Sequence, residues 1–387
     1  MSELRANWNY PNNISVGAGR INELAVVCKQ LGMHAPLLIT DPGLAGLPMV
    51  REAVAQCLEA DLRCGLFSNI QGNPTGQNVD DGVVAYRAGD HDGVIAFGGG
   101  SALDAGKAIA LMVGQNRPLW DFEDVGDNWT RVNEDRLAPV VAVPTTAGTG
   151  SEVGRASVIT DTENQIKRII FHPRMLPIRV ILDPELTLAL PANITAATGM
   201  DALSHNLEAL CSSSYHPMAD GIAMEGIRLV KDFLPRAVEN GSDLEARTQM
   251  LVASLMGATA FQKGLGGMHA IAHSLGAVYG AHHGLLNAIL MPYMLKANQS
   301  VIVERIERLS RYLCLTDPSF DGFMDWVLQM RSSLGIPHEL ARIDIDATQA
   351  KRIGQMAVND AAAGGNPIAF NAERYTEIFV DAVNGKL

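Results

Sequence analysis

Four histidines lie within one short segment that is interrupted by glycines. Residues 267–284 read G-M-H-A-I-A-H-S-L-G-A-V-Y-G-A-H-H-G and contain His269, His273, His282 and His283, whereas the whole chain of 387 residues has ten histidines. Imidazole nitrogens are common ligands of divalent metals. A single histidine is more often a packed or surface residue, but four so close together predict a metal site.

A second pair of candidate ligands lies upstream, in G-M-D-A-L-S-H-N-L-E. Asp201 and His205 are four residues apart and share one face if the segment is helical. Together with the histidine-rich segment they offer a mixed nitrogen and oxygen site. Without thiolates such a site suits Zn²⁺ or Fe²⁺, and ligand softness does not choose between them.

Helix geometry limits which of these histidines can bind the same ion. His269 and His273 share one face of a helix, but the fourteen residues from His269 to His283 would span about 21 Å on a straight helix. The chain must therefore turn between them. Gly276 and Gly280 supply the predicted breaks, and residues 282–284 then form a helix end or a loop.

Two glycine-rich or threonine-rich segments follow apolar strands in the first half of the chain. D-G-V-I-A-F-G-G-G-S-A-L-D-A-G-K and P-T-T-A-G-T-G-S-E place glycines and hydroxyls where backbone N–H groups could receive phosphate, which predicts a dinucleotide or sugar-phosphate crevice. A P-loop is disfavoured, because Ser101 and Ala108 stand where its glycine and hydroxyl would be. The alternative is that Ser101–Asp104 and Thr149–Glu152 are capping boxes that only begin helices.

Asp41 follows an earlier predicted strand. Its carboxylate could hold the ribose hydroxyls of an adenosine and repel a 2′-phosphate, which favours NAD over NADP. The alternative is that Asp41-Pro42-Gly43 is only a turn.

The order of apolar patterns predicts two domains. Continuous apolar strands at residues 35–40, 93–97 and 139–143 indicate a parallel sheet covered on both faces. After residues 179–191 the chain becomes rich in Ala, Leu and Met at helical spacing. We expect an α/β dinucleotide-binding domain at 1–186, with a Rossmann-like parallel sheet, and an all-helical metal-binding domain at 187–387.

Composition argues against several classes of partner. The formal charge is −12, without a basic block that could follow a phosphate backbone, so nucleic acid and anionic membranes are not expected partners. The N-terminus lacks a signal-peptide pattern and no apolar run reaches the length of a membrane span. The five cysteines form no C-x-x-C pair and are expected to be reduced, buried thiols. A soluble cytoplasmic protein is expected.

The chain resembles the iron-containing (group III) alcohol dehydrogenase family over nearly its whole length. The motifs that carry the resemblance are G-G-G-S-A-L-D-A-G-K, V-P-T-T-A-G-T-G-S-E-V, D-P-E-L-T-L-A-L-P, G-M-D-A-L-S-H-N-L-E-A and H-A-I-A-H-S-L-G-x6-H-G. This resemblance implies reversible oxidation of a small alcohol by NAD(P)⁺, with a metal that polarises the substrate oxygen. It also implies an active site in a cleft between the domains and a homodimer or higher homo-oligomer.

The resemblance assigns roles to individual residues. It implies that the metal, Fe²⁺ with Zn²⁺ as the alternative, is bound by Asp201, His205, His269 and His283. His273 becomes a candidate proton-relay residue near the nicotinamide and the substrate. The implied cofactor-binding residues are Asp41, Asn73, Gly99, Gly100, Ser101, Asp104, Thr145, Thr146, Thr149, Ser151, Lys167 and Leu186.

Two residues depart from the commonest family pattern. His282 stands where a proline is frequent, and its role is open. Lys263 precedes the histidine segment and is hypothesised to pair with a substrate carboxylate, as in a hydroxy acid or its semialdehyde; the alternative is a surface lysine. Two other functions remain as alternatives, a lyase of the dehydroquinate synthase type and a binding module without turnover.

Overall fold

The computed structural model describes residues 12–387, so the N-terminal residues that lack a signal-peptide pattern lie outside the described part. Two compact units divide between Ala189 and Leu190. The domain limits of 1–186 and 187–387 stay a prediction. Among the described residues no helix is long and apolar enough to cross a bilayer.

The first unit is built on a parallel sheet of six strands, with a separate antiparallel hairpin. The sheet order is β1-β8-β5-β4-β2-β3, and β6 pairs with β7. The strands are β1 Asn13–Val16, β2 Pro36–Ile39, β3 Gly65–Phe67, β4 Gly93–Gly98, β5 Val140–Pro144, β6 Ala156–Asp161, β7 Ile166–Phe171 and β8 Arg179–Leu182. The three strands predicted from sequence correspond to β2, β4 and β5, and the parallel α/β prediction is confirmed.

Five α-helices accompany this sheet in the described part of the first unit. They are α1 Leu24–Gln30, α2 Pro42–Ala45, α3 Pro48–Glu59, α4 Gly76–Ala88 and α5 Gly100–Met112. Every residue of β4 and β5 is buried, as expected for central parallel strands covered on both faces. Helix α5 approaches β4 closely at Gly106, where an added Cβ would lie 2.7 Å from the Cβ of Ala96. A glycine is therefore needed at this crossing.

The second unit is helical, which confirms the predicted all-α C-terminal half. Its helices are α6 Ala192–Cys211, α7 Pro217–Glu239, α8 Leu244–Ala260, α9 Gly267–Tyr279, α10 His283–Tyr312, α11 Phe320–Ser333, α12 Ala350–Asn359 and α13 Ala372–Asn384. Helix α9 ends at Tyr279 and is capped by Gly280, whose φ of 66° is left-handed and is favoured by glycine. The chain then re-enters a helix at His283.

All five cysteines are free, as expected. Cys28, Cys57 and Cys211 are buried and Cys64 is half-buried, but Cys314 is exposed. The expectation that every thiol is buried is thus wrong for Cys314, which follows α10 in a turn with a positive φ of 53°.

Candidate functional site

Helix α6 presents Asp201 and His205 on one face. The two side chains are one turn apart, as the four-residue spacing predicts, and each residue is only 3% exposed. His269 lies in the first turn of α9, and His283 is the first residue of α10. Three helices therefore supply these four side chains.

The four side chains converge on one point. One nitrogen or oxygen from each of Asp201, His205, His269 and His283 lies within 4.8 Å of the corresponding atoms of the other three. The chain does turn between His269 and His283, and the break is at Gly280. The prediction of a second break at Gly276 is wrong, because Gly276 is a buried residue inside α9.

This arrangement fits a divalent cation. Three imidazoles and one carboxylate form a donor set that binds borderline divalent metals well. The His283 side chain is 25% exposed, whereas that of Asp201 is 5% exposed, so the cluster is accessible from the side of His283. With four protein donors, any further ligand would have to approach from this accessible side and expand the coordination of the ion.

Glu208 fixes the orientation of His269. Its carboxylate accepts hydrogen bonds from the backbone N–H groups of Gly266 and Met268 and from His269 Nδ1, each at 2.7 Å. The Nδ1 proton is thereby held, and Nε2 is left for the metal side. Burial lowers the pKa of His269, but the carboxylates of Glu208 and Asp201 outweigh burial and the net shift of this pKa is upward.

Asn287 is the second residue behind the cluster that sequence reasoning missed. It is fully buried one turn after His283, and its Nδ2 donates to Asp201 Oδ1 at 2.8 Å. The same nitrogen lies 3.1 Å from His269 Nε2 and 3.2 Å from His283 Nε2. Among the described residues Asn287 Oδ1 has no hydrogen-bond partner, so the amide is held through its nitrogen alone.

The other two histidines of the segment have different surroundings. The His273 ring lies 5.9 Å from that of His269 and is stacked on that of His283 at 5.3 Å, measured between centroids, but His273 is not one of the four converging side chains. His282 is exposed and caps α10, with its Nδ1 accepting from Leu285 N–H at 3.4 Å. The role left open for His282 is therefore that of a helix cap.

In the first unit the two predicted loops lie at the carboxyl ends of neighbouring strands. β4 runs into Gly99 and β5 runs into Thr145, whose N–H donates to Gly98 O at 3.0 Å. A Cβ at Gly100 would lie 2.3 Å from Thr149 Oγ1, and one at Gly99 would lie 3.4 Å from Thr146. The glycines thus allow the two loops to touch at the carboxyl edge of the sheet.

Neither of the two capping boxes forms. The residue that caps α5 is Gly99, without a side-chain hydrogen bond, and the short turn at Ser151–Val153 begins after Gly150. The first N–H groups of α5 are therefore not capped by Ser101. The alternative capping boxes are therefore absent, and the role of these motifs in cofactor binding stays a prediction.

Asp104 joins the two loops to each other. Its Oδ1 accepts from Ser151 Oγ at 2.5 Å, its Oδ2 accepts from Val158 N–H at 2.9 Å, and Lys107 Nζ lies 3.4 Å away. Lys107 also donates to the backbone oxygen of Ser151 at 3.0 Å. Burial lowers the pKa of Lys107 and Asp104 partly opposes this shift. Both Asp104 and Ser151 thus have partners within the protein.

The remaining predicted cofactor-binding residues lie in different parts of the first unit. Lys167 Nζ on β7 donates to Asn73 Oδ1 at 2.9 Å, so these two residues meet although they are far apart in sequence. Asp41 caps α2 by accepting from Leu44 N–H at 3.0 Å, so the predicted turn forms while the carboxylate stays at the end of β2. Leu186 is 7% exposed and packs in the core of the first unit.

Lys263 is buried, and a carboxylate of the protein balances the charge of its ammonium group. Its Nζ is buried, donates to Leu210 O at 3.1 Å and pairs with Asp220 Oδ1 at 2.5 Å. Burial lowers the pKa of Lys263, and Asp220 opposes that shift. The hypothesis that Lys263 binds a substrate carboxylate is therefore wrong, since an internal carboxylate already holds its ammonium.

A Lys263→Met variant is expected to lose stability without a change in substrate preference. The Asp220 side chain is 34% exposed and can turn to water, so we expect a loss of about 1–2 kcal/mol in the free energy of unfolding. Urea unfolding measures this loss, with Lys231→Met as the control, because the Lys231 side chain on α7 is 30% exposed and also pairs with an aspartate. A selective loss of activity on carboxylated aldehydes, relative to simple alkanals, would restore the substrate-binding role.

The fold and the converging side chains are compatible with a metal-dependent dehydrogenase, and the family matches support this class. A family model described as iron-containing alcohol dehydrogenase matches residues 11–184, and one described as the C-terminal part of the Fe-containing alcohol dehydrogenase family matches residues 195–383. The chain therefore belongs to the iron-containing alcohol dehydrogenase family and is an NAD(P)-linked alcohol dehydrogenase. This membership favours a dehydrogenase over the lyase and the non-catalytic module.

Individual relatives agree with this membership. The chain is 35% identical to a 4-hydroxybutyrate dehydrogenase of Cupriavidus necator over 95% of this chain and 97% of the relative. It is 34% identical to a 1,3-propanediol dehydrogenase of Citrobacter freundii over 99% and 100%. The crystal structure of a 1,3-propanediol oxidoreductase superposes with a TM-score of 0.92 at 34% identity, covering 97% of this chain and all of that one.

Proposed function

We propose that this protein interconverts a small primary alcohol and its aldehyde with NAD as the hydride carrier, and that Asp201, His205, His269 and His283 bind the metal. The observation that carries this proposal is the convergence of their four ligand atoms within 4.8 Å. When bound, the metal supplies a Lewis acid that polarises the substrate oxygen, and the nicotinamide accepts the hydride.

The side chains around the cluster prepare it for this chemistry. Glu208 and Asn287 hold His269 and Asp201 in fixed orientations. One carboxylate among three neutral imidazoles leaves a divalent cation with a net positive charge, which favours the developing negative charge on a substrate oxygen. His273 lies beside the cluster, and we propose that it receives the hydroxyl proton of the alcohol.

We propose Fe²⁺ as the native metal, with Zn²⁺ as the alternative. The donor set contains no thiolate, which suits both ions, and the family match favours iron. Metal analysis after anaerobic purification, followed by activity with each ion added to the stripped protein, distinguishes them. Full activity of the stripped protein would contradict any role of a metal.

We propose that NAD is bound by Asp41, Asn73, Gly99, Gly100, Ser101, Asp104, Thr145, Thr146, Thr149, Ser151, Lys167 and Leu186. The contact of the two loops at Gly100 and Thr149 supports their joint use for the pyrophosphate. For Asp104 and Ser151 the mutual hydrogen bond supports a role in holding the loops together.

Replacing Asp41 with serine is expected to raise the use of NADP relative to NAD. Serine can still cap α2, so the turn survives, while removal of the carboxylate removes repulsion of a 2′-phosphate. We expect the ratio of kcat/KM for NADP to that for NAD to rise by about tenfold or more. Steady-state kinetics with both cofactors test this, and an unchanged ratio would show that Asp41 serves only as a cap.

The substrate class is tested with a panel of alcohols and aldehydes. Appearance of NADH with simple primary alcohols or diols supports the proposal. The similarity to a 4-hydroxybutyrate dehydrogenase favours a hydroxy acid or semialdehyde as the second candidate. A kcat/KM that is highest for carboxylated substrates would select this second candidate, and no turnover with any alcohol would refute the proposed function.

We also propose that the protein is cytoplasmic and forms a homodimer or a higher homo-oligomer. The five free cysteines support a reducing compartment. Light scattering coupled to size exclusion gives the number of subunits.

A further inference from the structure

A carboxylate outside the four converging side chains holds His273. Asp360 Oδ2 lies 3.0 Å and Oδ1 lies 3.2 Å from His273 Nδ1. The two residues are 87 positions apart in sequence, and their side chains are 14% and 10% exposed. The contact is thus short, bifurcated and largely shielded from water.

The Asp360 carboxylate is also held by a hydrogen bond within its own segment. It follows α12 directly and begins the short helical turn Ala361–Gly365, where its Oδ1 accepts from Ala362 N–H at 2.8 Å. The carboxylate therefore has little freedom to rotate away. A fixed acceptor at Nδ1 selects the imidazole tautomer that carries its proton on Nδ1.

The opposite edge of the His273 ring carries Nε2. Among the described residues no hydrogen bond engages this nitrogen, whereas the ring itself is stacked on His283 and stands edge-on to His269. With the proton on Nδ1, Nε2 has its lone pair available next to the cluster. Rotation of the ring would break the contact with Asp360, because the ring cannot satisfy Asp360 from Cε1 or Cδ2.

We propose that Asp360 is a positioning residue that fixes His273 in its Nδ1–H tautomer and keeps Nε2 as the proton acceptor beside the substrate oxygen. This inference rests on the proposed alcohol oxidation. Glu208 holds His269 Nδ1 in the same way, but His269 belongs to the four converging side chains and His273 does not. One carboxylate thus prepares a metal ligand and the other prepares the neighbouring proton acceptor.

Three variants separate this role from a structural one. In Asp360→Asn an amide N–H can face Nδ1 and favour the opposite tautomer, Asp360→Ala removes the partner, and Asp360→Glu retains a carboxylate. We expect kcat to fall by about tenfold or more in Asp360→Asn and Asp360→Ala, with less loss in Asp360→Glu. KM for NAD and the metal content, measured by mass spectrometry, should stay within about twofold of the original.

A spectroscopic measurement tests the tautomer independently of turnover. In the Zn²⁺-loaded protein with ¹⁵N-labelled histidine, the His273 signal, assigned by its absence in His273→Gln, should report Nδ1–H in the original chain and Nε2–H in Asp360→Asn. An unchanged tautomer or an unchanged kcat in Asp360→Asn would overturn the proposal. Failure of the original chain to oxidise any alcohol would instead refute the proposed function, while the tautomer measurement would still decide the role of Asp360.

Discussion

His283→Ala is expected to lose both its metal and its activity, whereas His282→Ala is expected to keep both. The two residues are adjacent in sequence, but only His283 belongs to the four converging side chains. Removing one of four donors weakens metal binding and takes away a contribution to catalysis of several kcal/mol. We expect kcat/KM to fall by about a thousandfold or more in His283→Ala.

The neighbouring variant controls for effects on the helix. His282 caps α10 through a 3.4 Å contact at an exposed position, and its loss should cost at most about 1 kcal/mol. Metal content by mass spectrometry and kinetics with saturating NAD compare the two variants, and circular dichroism checks that both fold. If both variants kept their metal, the assignment of His283 as a ligand would be wrong.

The sequence was sufficient to predict the elements that place the site. The apolar runs that became β2, β4 and β5 are continuous because both faces of the sheet are covered, and such runs are legible without a structure. Asp201 and His205 were placed on one helix face because their four-residue spacing matches one turn. Helix geometry also required a turn before His283, and Gly280 provides it.

The residues that sequence reasoning missed act over long separations. Glu208 meets His269 across 61 residues, and Asp360 meets His273 across 87 residues. A local pattern carries no information on which distant carboxylate will face an imidazole. For Glu208 one signal was present, because it lies seven residues after Asp201 and three after His205 and so continues their helical face.

The Lys263 hypothesis and the alternative of two capping boxes failed for a different reason. Lys263 and the two capping boxes were judged from residue type and spacing, whereas tertiary packing decided their partners. The Lys263 ammonium is buried and binds Asp220 and a backbone oxygen. The Asp104 carboxylate accepts hydrogen bonds from Ser151 and Val158 instead of taking part in a capping box. Where a polar side chain is buried, distant donors and acceptors compete with the local motif and can replace it.

Glu208→Gln is expected to weaken metal binding by about 10- to 100-fold, because the amide cannot replace a carboxylate that accepts three hydrogen bonds. An amide has one acceptor oxygen, so its NH₂ group must face at least one of the three donors. If it faces His269, the imidazole proton is driven to Nε2 and that nitrogen no longer binds the metal.

The same substitution should lower stability, since one buried donor is left unpaired at a cost of about 1–3 kcal/mol in the free energy of unfolding. Glu245→Gln is the matched control, because Glu245 is 63% exposed and pairs only with Arg236 among the described residues. Calorimetric titration of the stripped proteins with Zn²⁺ and urea unfolding give the two quantities. Without a bound metal, the free energy of unfolding reports only the cost of the unpaired donor. A variant with lowered stability and unchanged metal affinity would therefore show that Glu208 holds the α9 backbone but does not orient His269.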